Sequence, residues 1–446
     1  MILETISTIA FGGVAAYSYF KSEGPAINDS DKILKIFNNA GLKVKEGKVT
    51  KTIRILRKKK IKDGMEYVFQ LPLGLASKEI IAQKHVLEDG INTRSTALKF
   101  SPRDLLKVKM DKTLFKQIES ILKDKTIVKK EMEIESGEGV LKIRVFHKPF
   151  GNKIIWNEEM VKPDTWAVVV GLTREKSFYH DFDKQKHLIV GGATGGGKSV
   201  VIKSMITGLI LSKPEDVVFS LIDLKGGPAF ARFKNCKQVK NFGIDVNGAY
   251  EILQEVEREM DSTYKKIVDG GFEDVTEAGI KERHFIIIDE AADLVDHGPA
   301  MDILTGIVRK GRGAGFYLVY ATQYPSAQAI PMQIKRNIPA RLCFVLDSVS
   351  ASMTVLDAPG AEDLPEDIPG RCIYKGVKQK VMQAPFMSNK KIDELIKPHK
   401  IEKRIDEGGK TIQKPNEDRK HSIEFIPVGL PKPGTNPRNA RSKKRP

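Results

Sequence analysis

The chain has 446 residues and is 41% hydrophobic, which is enough for two or three domains with a sizeable core. Lys and Arg number 74 against 57 Asp and Glu, and the net charge of +17 suits a polyanionic partner, nucleic acid first and an anionic membrane second. Cys236, Cys343 and Cys372 lie far apart without CxxC spacing, so we expect a reducing compartment and neither a disulfide framework nor structural zinc.

Residues 2–20 are uncharged from Thr5 onward and could form a helix. A membrane helix needs about 20 apolar residues, and this segment is near the lower limit and is diluted by Thr, Ser and Gly. The basic residues that follow would leave the bulk of the chain in the cytoplasm. We expect a cytoplasmic protein with a single-pass anchor in residues 1–21, and a buried or interfacial helix is the alternative.

Residues 22–155 have the mixed pattern of a small α+β domain. The predicted elements are a helix that stops at Gly41, strands 52–56 and 67–71 joined by a hairpin turn at Asp63-Gly64, a helix from Ser77 to Gly90, a helix over 114–122 and a strand over 140–145. The basic run 57–62 flanks the hairpin turn, where it is either solvated or in contact with phosphates.

Residues 156–398 alternate short apolar runs with helical segments. The runs are WAVVVGL, HLIVGG, VVFSLID, HFIIIDE, FYLVYATQ and ARLCFVL. Continuous apolar strands separated by helices are typical of a parallel sheet that is covered on both faces. Residues 399–446 are polar, basic and rich in proline, which predicts a disordered tail. The fold class is therefore α/β, with a smaller α+β domain before it.

A glycine-rich turn follows the apolar run 188–190 and precedes a helical segment. It fits GxxxxGK(S/T), the phosphate-binding loop, in which glycines let backbone N–H groups surround phosphates. Lys198 can reach the β- and γ-phosphates, and the Ser199 hydroxyl can bind Mg²⁺. We expect ATP and Mg²⁺ as cofactors, held by Gly192, Ala193, Thr194, Gly195, Gly196, Gly197, Lys198 and Ser199.

Polar residues end several of the predicted strands, where ligands of open α/β sheets bind. Asp289 is placed to hold Mg²⁺, and Glu290 to activate the attacking water. Asp223 ends another strand, and Gln323 ends a third, where its amide could sense the γ-phosphate. Arg312 lies in KGRGAG, predicted as an exposed loop; it is either a surface charge or a finger that reaches a neighbouring subunit.

The region from about residue 166 to 385 resembles the motor domain of the FtsK/SpoIIIE family of HerA/FtsK-type DNA translocases. The similarity lies in HLIVGGATGGGKSV, LIDLKGG, FIIIDEAADL, GRGAGFYLVYATQYPS and IKRNIPARLCFVLDSVSASMTVLDAPGAEDLP. It implies a RecA-like P-loop core, a hexameric ring and ATP-driven movement along double-stranded DNA. It also implies Asp289 and Glu290 as catalytic acids, Gln323 as sensor and Arg312 as the arginine acting in trans, with Arg341 as a second candidate.

The chain differs from the division and sporulation members, which carry several membrane helices and a C-terminal winged-helix module. It looks more like the coupling or transfer ATPase of a conjugative plasmid or integrative element. We therefore predict a DNA-translocating ATPase, a homohexamer, that handles DNA of any sequence, double-stranded favoured, for transfer or partition. A membrane, a relaxase or transfer-channel proteins are its expected partners.

Two other functions compete with this prediction. The first is a protein-export ATPase of the same motor family, although those usually carry tandem modules and this chain has one P-loop. The second is a passive DNA- or membrane-binding protein with a degenerate site, against which the intact Lys198, Ser199, Asp289 and Glu290 argue.

Overall fold

The computed structural model describes residues 29–92 and 130–401, apart from Glu138, Pro149 and Val377. The chain divides into two compact units, Met1–Gly151 and Asn152–Pro446. The predicted anchor at residues 2–20, the helix over 114–122 and the tail from 402 onward lie outside the described residues. Within the described ranges, no helix combines the length and the apolar character that a membrane crossing requires.

The first unit is an α+β domain, as predicted. Its described elements are α1 (Asp29–Asn39), β1 (Lys43–Glu46), β2 (Val49–Thr52), β3 (Arg54–Ile61), β4 (Gly64–Gln70), α2 (Ser77–Ala82), α3 (Lys84–Asn92), β5 (Glu131–Gly137) and β6 (Val140–Phe146). Strands β1 and β2 pair with each other, and an antiparallel sheet has the order β3-β4-β6-β5. Apolar side chains from the three helices pack on that sheet and form the core of the unit.

The hairpin between β3 and β4 is present, but its turn lies one residue earlier than the sequence indicated. Ile61 pairs with Gly64, so Lys62 and Asp63 are the central turn residues, and Asp63 has a left-handed φ of 61°. Most of the basic run 57–62 therefore belongs to the exposed strand β3 and not to the turn. The strand is largely exposed, so a solvated segment and a contact with phosphates both stay predictions for these residues.

The helix predicted to stop at Gly90 differs from the observed helices. It is interrupted at Gln83, and Gly90 lies inside α3. A Cβ at Gly90 would come within 2.6 Å of the Ile36 side chain, so the glycine permits close packing of α3 on α1. Gly90 therefore marks a contact between two helices. Gly41, which has a φ of 73°, does follow the end of α1, as the sequence predicts.

The second unit is built on a large mixed sheet. Its elements are β7 (Ile154–Ile155), β8 (Ala167–Leu172), β9 (Ser177–Asp181), β10 (Leu188–Gly191), α4 (Lys198–Ser212), β11 (Val217–Asp223), β12 (Val239–Gly243), α5 (Val246–Asp269), β13 (Arg283–Asp289), α6 (Gly298–Ala314), β14 (Phe316–Thr322), α7 (Met332–Asn337), β15 (Arg341–Phe344), α8 (Val349–Leu356), β16 (Arg371–Lys375), β17 (Gln379–Gln383), β18 (Pro385–Phe386) and α9 (Asn389–Ile396).

The ten-stranded sheet has the order β12-β11-β13-β14-β10-β15-β16-β17-β8-β9. The strands from β12 to β15 are parallel, and those from β16 to β9 are antiparallel to their neighbours. The predicted parallel sheet is thus confirmed for five of the six apolar runs and wrong for WAVVVGL, which is β8. A run buried on both faces is apolar in either direction of pairing, so its composition does not report its direction.

Helices cover both faces of the parallel part of the sheet. Apolar residues of α4 and α9 form one core, and those of α5, α6, α7 and α8 form the other. Residues 285–288 of β13 alternate between the two cores, which is why all four are apolar up to the terminal acid of the strand. This arrangement confirms the α/β fold and leaves the carboxyl ends of β10, β11, β13 and β14 to carry polar groups.

Candidate nucleotide-binding site

The glycine-rich turn has the predicted strand–loop–helix setting, because it joins the end of β10 to the first residue of α4. Gly195 and Gly197 have φ of 84° and 116°, a region that side chains with a Cβ rarely adopt. The Gly196 carbonyl accepts a hydrogen bond of 2.8 Å from the Gly370 N–H, which fixes the loop from outside. The N-terminus of α4 thus points backbone N–H groups and its partial positive charge into the loop, which favours phosphate.

Lys198 lies in a buried ion pair with the acids that end β13. Its Nζ is 2.5 Å from Asp289 Oδ1 and 3.8 Å from Glu290 Oε2, and the three side chains are all nearly inaccessible. Two neighbouring carboxylates repel each other in a low-dielectric site, and the ammonium offsets that repulsion. The structure therefore brings together the lysine and the two acids that the sequence nominated separately.

Ser199 and Asp289 fit the chemistry of a magnesium site. The Ser199 Oγ lies 3.4 Å from Asp289 Oδ2, so a hydroxyl and a carboxylate, both hard oxygen ligands, face the same space. No cluster of three or more His, Cys, Asp or Glu side chains able to hold a metal exists among the described residues. Mg²⁺ commonly binds one or two protein carboxylates and completes its coordination shell with water and substrate phosphates. The Ser199–Asp289 pair fits this mode of coordination.

Glu290 is held by donors at the carboxyl ends of two further strands, β14 and β11. Its Oε1 accepts hydrogen bonds from Thr322 Oγ1 at 2.9 Å and from the Gln323 N–H at 3.0 Å, and its Oε2 pairs with Lys225 Nζ at 3.1 Å. Burial raises the pKa of the Glu290 carboxyl, but the Gln323 N–H, the Lys198 charge, Thr322 and Lys225 outweigh it and bring the pKa below its usual range. The carboxylate is therefore charged at neutral pH, as a general base must be.

Gln323 connects the P-loop to this acid. Strand β14 lies between β10 and β13 in the sheet, so its carboxyl end emerges between the P-loop and Glu290. The Gln323 Oε1 accepts a hydrogen bond of 2.8 Å from Thr194 Oγ1, while its backbone N–H donates to Glu290. The residue proposed as a γ-phosphate sensor thus touches both the phosphate loop and the candidate base.

Sequence reasoning missed two residues of this network, Thr322 and Lys225. Thr322 directly precedes Gln323, and Lys225 lies in the LIDLKGG motif. The sequence pattern assigns a contact with Glu290 to neither of them. Asp223, from the same motif, has a structural role: its carboxylate accepts the N–H groups of Lys225 at 3.1 Å and Ala229 at 2.7 Å. It shapes the loop that presents Lys225.

Arg312 is exposed, as predicted, but it lies in the last turn of α6 and not in a loop. A Cβ at Gly311 would come within 2.7 Å of the Phe316 carbonyl, so the neighbouring glycine permits helix packing on β14 and does not break the helix. Gly315, with φ 78°, ends the helix. Arg312 therefore precedes the amino end of β14, whereas Gln323 follows its carboxyl end, about 20 Å away along the strand.

Arg341, the second candidate for an arginine acting in trans, is buried within its own subunit. Its guanidinium donates to the carbonyls of Val355 at 3.1 Å and Lys335 at 2.9 Å, and it pairs with the Asp357 carboxylate. These bonds tie α7 to α8. The buried and bonded guanidinium does not suit a finger, so Arg312 is the better candidate.

Removal of the Lys198 charge should destabilise the fold itself. We expect Lys198→Ala to lower the free energy of unfolding by about 3–5 kcal/mol, because it leaves Asp289 buried without its cation. Urea denaturation at neutral pH measures the loss, and the double variant Lys198→Ala, Asp289→Asn should recover part of it. Lys281→Ala, at an exposed lysine, is the matched control. Equal stabilities of Lys198→Ala and the parent would show that the ion pair contributes nothing.

Part of the chain is similar to known proteins. The model of the FtsK/SpoIIIE family matches residues 153–284. The chain is 32% identical over 240 residues to the DNA translocase FtsK of Streptomyces coelicolor, which covers 49% of this chain and 26% of that protein. It is 29% identical over 261 residues to the DNA translocase SpoIIIE of Bacillus subtilis, with 53% of this chain and 32% of that one covered. The matched stretch thus spans only about a quarter to a third of these relatives.

A solved structure extends the likeness over most of the chain. The pCW3 conjugation coupling protein TcpA, in its monomer form with ATPgS, covers 83% of this chain and 99% of its own, with a TM-score of 0.54 and 20% identity. At that identity the likeness concerns the fold. The P-loop between β10 and α4 lies within residues 153–284, the part that the family model matches. The chain is therefore similar to the FtsK/SpoIIIE family over this part of its length.

Proposed function

We propose that this protein is an ATP-driven DNA translocase that serves DNA transfer or partition, in a conjugative plasmid or integrative element. The observation that carries the proposal is the continuous network from Thr194 through Gln323 to Glu290, beside the Lys198–Asp289 pair. Such a network supports ATP hydrolysis, because it joins a phosphate cradle to a charged base. The similarity to DNA translocases supports DNA as the track.

In this proposal each residue has a specific task. The P-loop N–H groups and Lys198 bind the β- and γ-phosphates, and Ser199 and Asp289 hold Mg²⁺, which offsets phosphate charge when bound. Glu290 accepts the proton of the attacking water, whose oxygen forms a bond to the γ-phosphorus as the bond to the ADP oxygen breaks. Gln323 contacts both Thr194 of the P-loop and Glu290, and so responds to the presence of the γ-phosphate.

We also infer a homohexamer, in which Arg312 completes the site of the neighbouring subunit. Arg312 and Gln323 lie beyond opposite ends of β14, so Arg312 does not reach the P-loop of its own chain. In a ring, the edge of one subunit at the amino end of β14 would face the P-loop of the next subunit. Arg312 would then lie beside that P-loop. The cytoplasmic location, the anchor in residues 2–20, and a relaxase or transfer channel as partners are parts of the same proposal.

DNA of any sequence should stimulate ATP turnover, and salt should weaken the effect. A translocase grips every step of its track, so it holds phosphates and not base edges. Log affinity should fall linearly with log salt, by about 0.9 per phosphate contact on duplex DNA. Turnover is compared on random duplex, on single strands and without DNA over a salt series, and triplex displacement then separates movement from binding.

The alternative outcomes of this experiment are distinct. Stimulation by single strands alone would favour a helicase-like role in transfer over a double-strand pump. An active ATPase that neither form of DNA stimulates would contradict DNA translocation and favour the export function. Glu290→Gln serves as the control for contaminating ATPases, because it removes only the base.

A further inference from the structure

Lys225 occupies an unusual position beside the candidate base. It follows β11 on a short turn whose next two residues, Gly226 and Gly227, have left-handed φ of 86° and 95°. Buried Asp223 binds the backbone N–H of Lys225 and so fixes the turn. The side chain is 42% exposed, yet its ammonium reaches the almost fully buried Glu290 at 3.1 Å. The backbone of Lys225 is therefore held in place beside the end of β11, and its ammonium lies between solvent and Glu290.

Donors already surround the Glu290 carboxylate. Oε1 accepts from Thr322 and from the Gln323 N–H, and Oε2 faces Lys225 at 3.1 Å and Lys198 at 3.8 Å. A carboxylate has about four lone-pair sites, two on each oxygen. A general base must offer one of them to the water whose proton it takes. Thr322, the Gln323 N–H and Lys225 lie within hydrogen-bond distance, whereas Lys198 at 3.8 Å forms an ion pair only. Lys225 is therefore the side chain at Oε2 with which an attacking water would compete.

The three donors and Lys198 differ in how easily they can move away from the carboxylate. Thr322 is fully buried, and the Gln323 N–H belongs to the backbone. Lys198 is buried and pairs more closely with Asp289 than with Glu290. Lys225 is half-exposed on a flexible four-carbon stem, so a change of rotamer moves its charge into water without moving the fixed turn. It is the donor with the lowest cost of release.

We propose that Lys225 is a positioning residue that occupies Glu290 and restrains ATP hydrolysis until phosphates of the DNA track draw its ammonium away. This inference rests on the proposed function for the identity of the track. An ammonium is a strong point-charge ligand for phosphate, and the exposed half of this side chain is where a polyanion from solvent would meet it. The same lysine would thus connect track binding to the availability of the base.

Lys225→Met tests the restraint, because it keeps the stem and removes the charge. We expect the DNA-free kcat to rise about tenfold with an unchanged KM for ATP, because one hydrogen-bonded contact to a charged group is removed from the base. The ratio of turnover with random duplex DNA to turnover without DNA should fall by the same factor. Lys225→Arg should retain the low DNA-free rate and the stimulation.

Lys234→Met is the matched control. Lys234 is an exposed lysine on the same connection between β11 and β12, and no acid that the structure describes pairs with it. A purely structural role for Lys225 would lower turnover in Lys225→Met with and without DNA, and that result, or an unchanged DNA-free rate, would overturn the proposed restraint. Failure of DNA to stimulate the parent protein would instead count against the proposed function, while a raised DNA-free rate in Lys225→Met would still support the restraint itself.

Discussion

Glu290→Gln is expected to lower ATP turnover by about 10²–10⁴-fold and to leave ATP binding intact. The amide oxygen still accepts the hydrogen bonds from Thr322 and the Gln323 N–H, so the shape of the site is kept. The variant has no charged oxygen to take the proton of the attacking water. Lys198, the P-loop and the Ser199–Asp289 pair are unchanged, so phosphate and Mg²⁺ binding should persist. Equilibrium binding of ATP and steady-state phosphate release measure the two effects.

Asp296→Asn provides the matched control for this change. Asp296 is an exposed acid that follows the same strand, and its neutralisation should leave turnover within a factor of about two, since exposed substitutions change little. A Glu290→Gln protein that hydrolyses ATP at the parent rate would contradict the assignment of the base. Loss of ATP binding together with turnover would point to misfolding of the site, which the urea midpoint then reveals.

Arg312→Ala should lower turnover by about 10³–10⁵-fold, the contribution of an arginine finger in other phosphoryl-transfer enzymes. Its guanidinium would stabilise charge on the γ-phosphate bound by the adjacent subunit. A mixture of Arg312→Ala and Glu290→Gln subunits should partly recover turnover, because some interfaces then hold Glu290 from one subunit and Arg312 from the other. Turnover measured against the mixing ratio reports this recovery.

Arg309→Ala is the control for charge on the same helix. Arg309 is also exposed on α6, one turn before Arg312, and its loss should change turnover little. Mixtures that remain as inactive as both parents would show that Arg312 does not act between subunits. An Arg312→Ala protein with the parent rate would reduce Arg312 to a surface charge, the alternative that its sequence pattern also allows.

The sequence was most informative where one chemical requirement determines the residue type. Phosphates require the glycines and Lys198, and buried parallel strands require apolar runs that end at polar groups such as Asp289 and Gln323. The contacts of Lys225 and Thr322 with Glu290 depend on the order of strands in the sheet, which local patterns do not contain. The antiparallel pairing of β8 also depends on the order of strands, so the local pattern could not predict it.

Glycine was the most misleading residue in these predictions. Gly90 and the glycines around Arg312 were read as chain breaks, because glycine is a poor helix former. In the structure, Gly90 and Gly311 lie in helices at points where a neighbouring group leaves no room for a Cβ. Such contacts come from distant parts of the chain or from the packing of one element on the next, and a local pattern cannot separate them from a stop signal.

Strand β14 also has a mechanical consequence for a ring of subunits. Its seven residues run from the packed end of α6, which carries Arg312, to Thr322, and Gln323 follows beside the phosphate loop. This strand is paired on both sides and resists stretching, so an axial shift at one end would be transmitted to the other. In the proposed ring, the state of the nucleotide site in one subunit would then set the position of its Arg312 at the site of the next subunit. If the subunits form the proposed ring, we expect hydrolysis to pass around it in order and not to occur at independent sites.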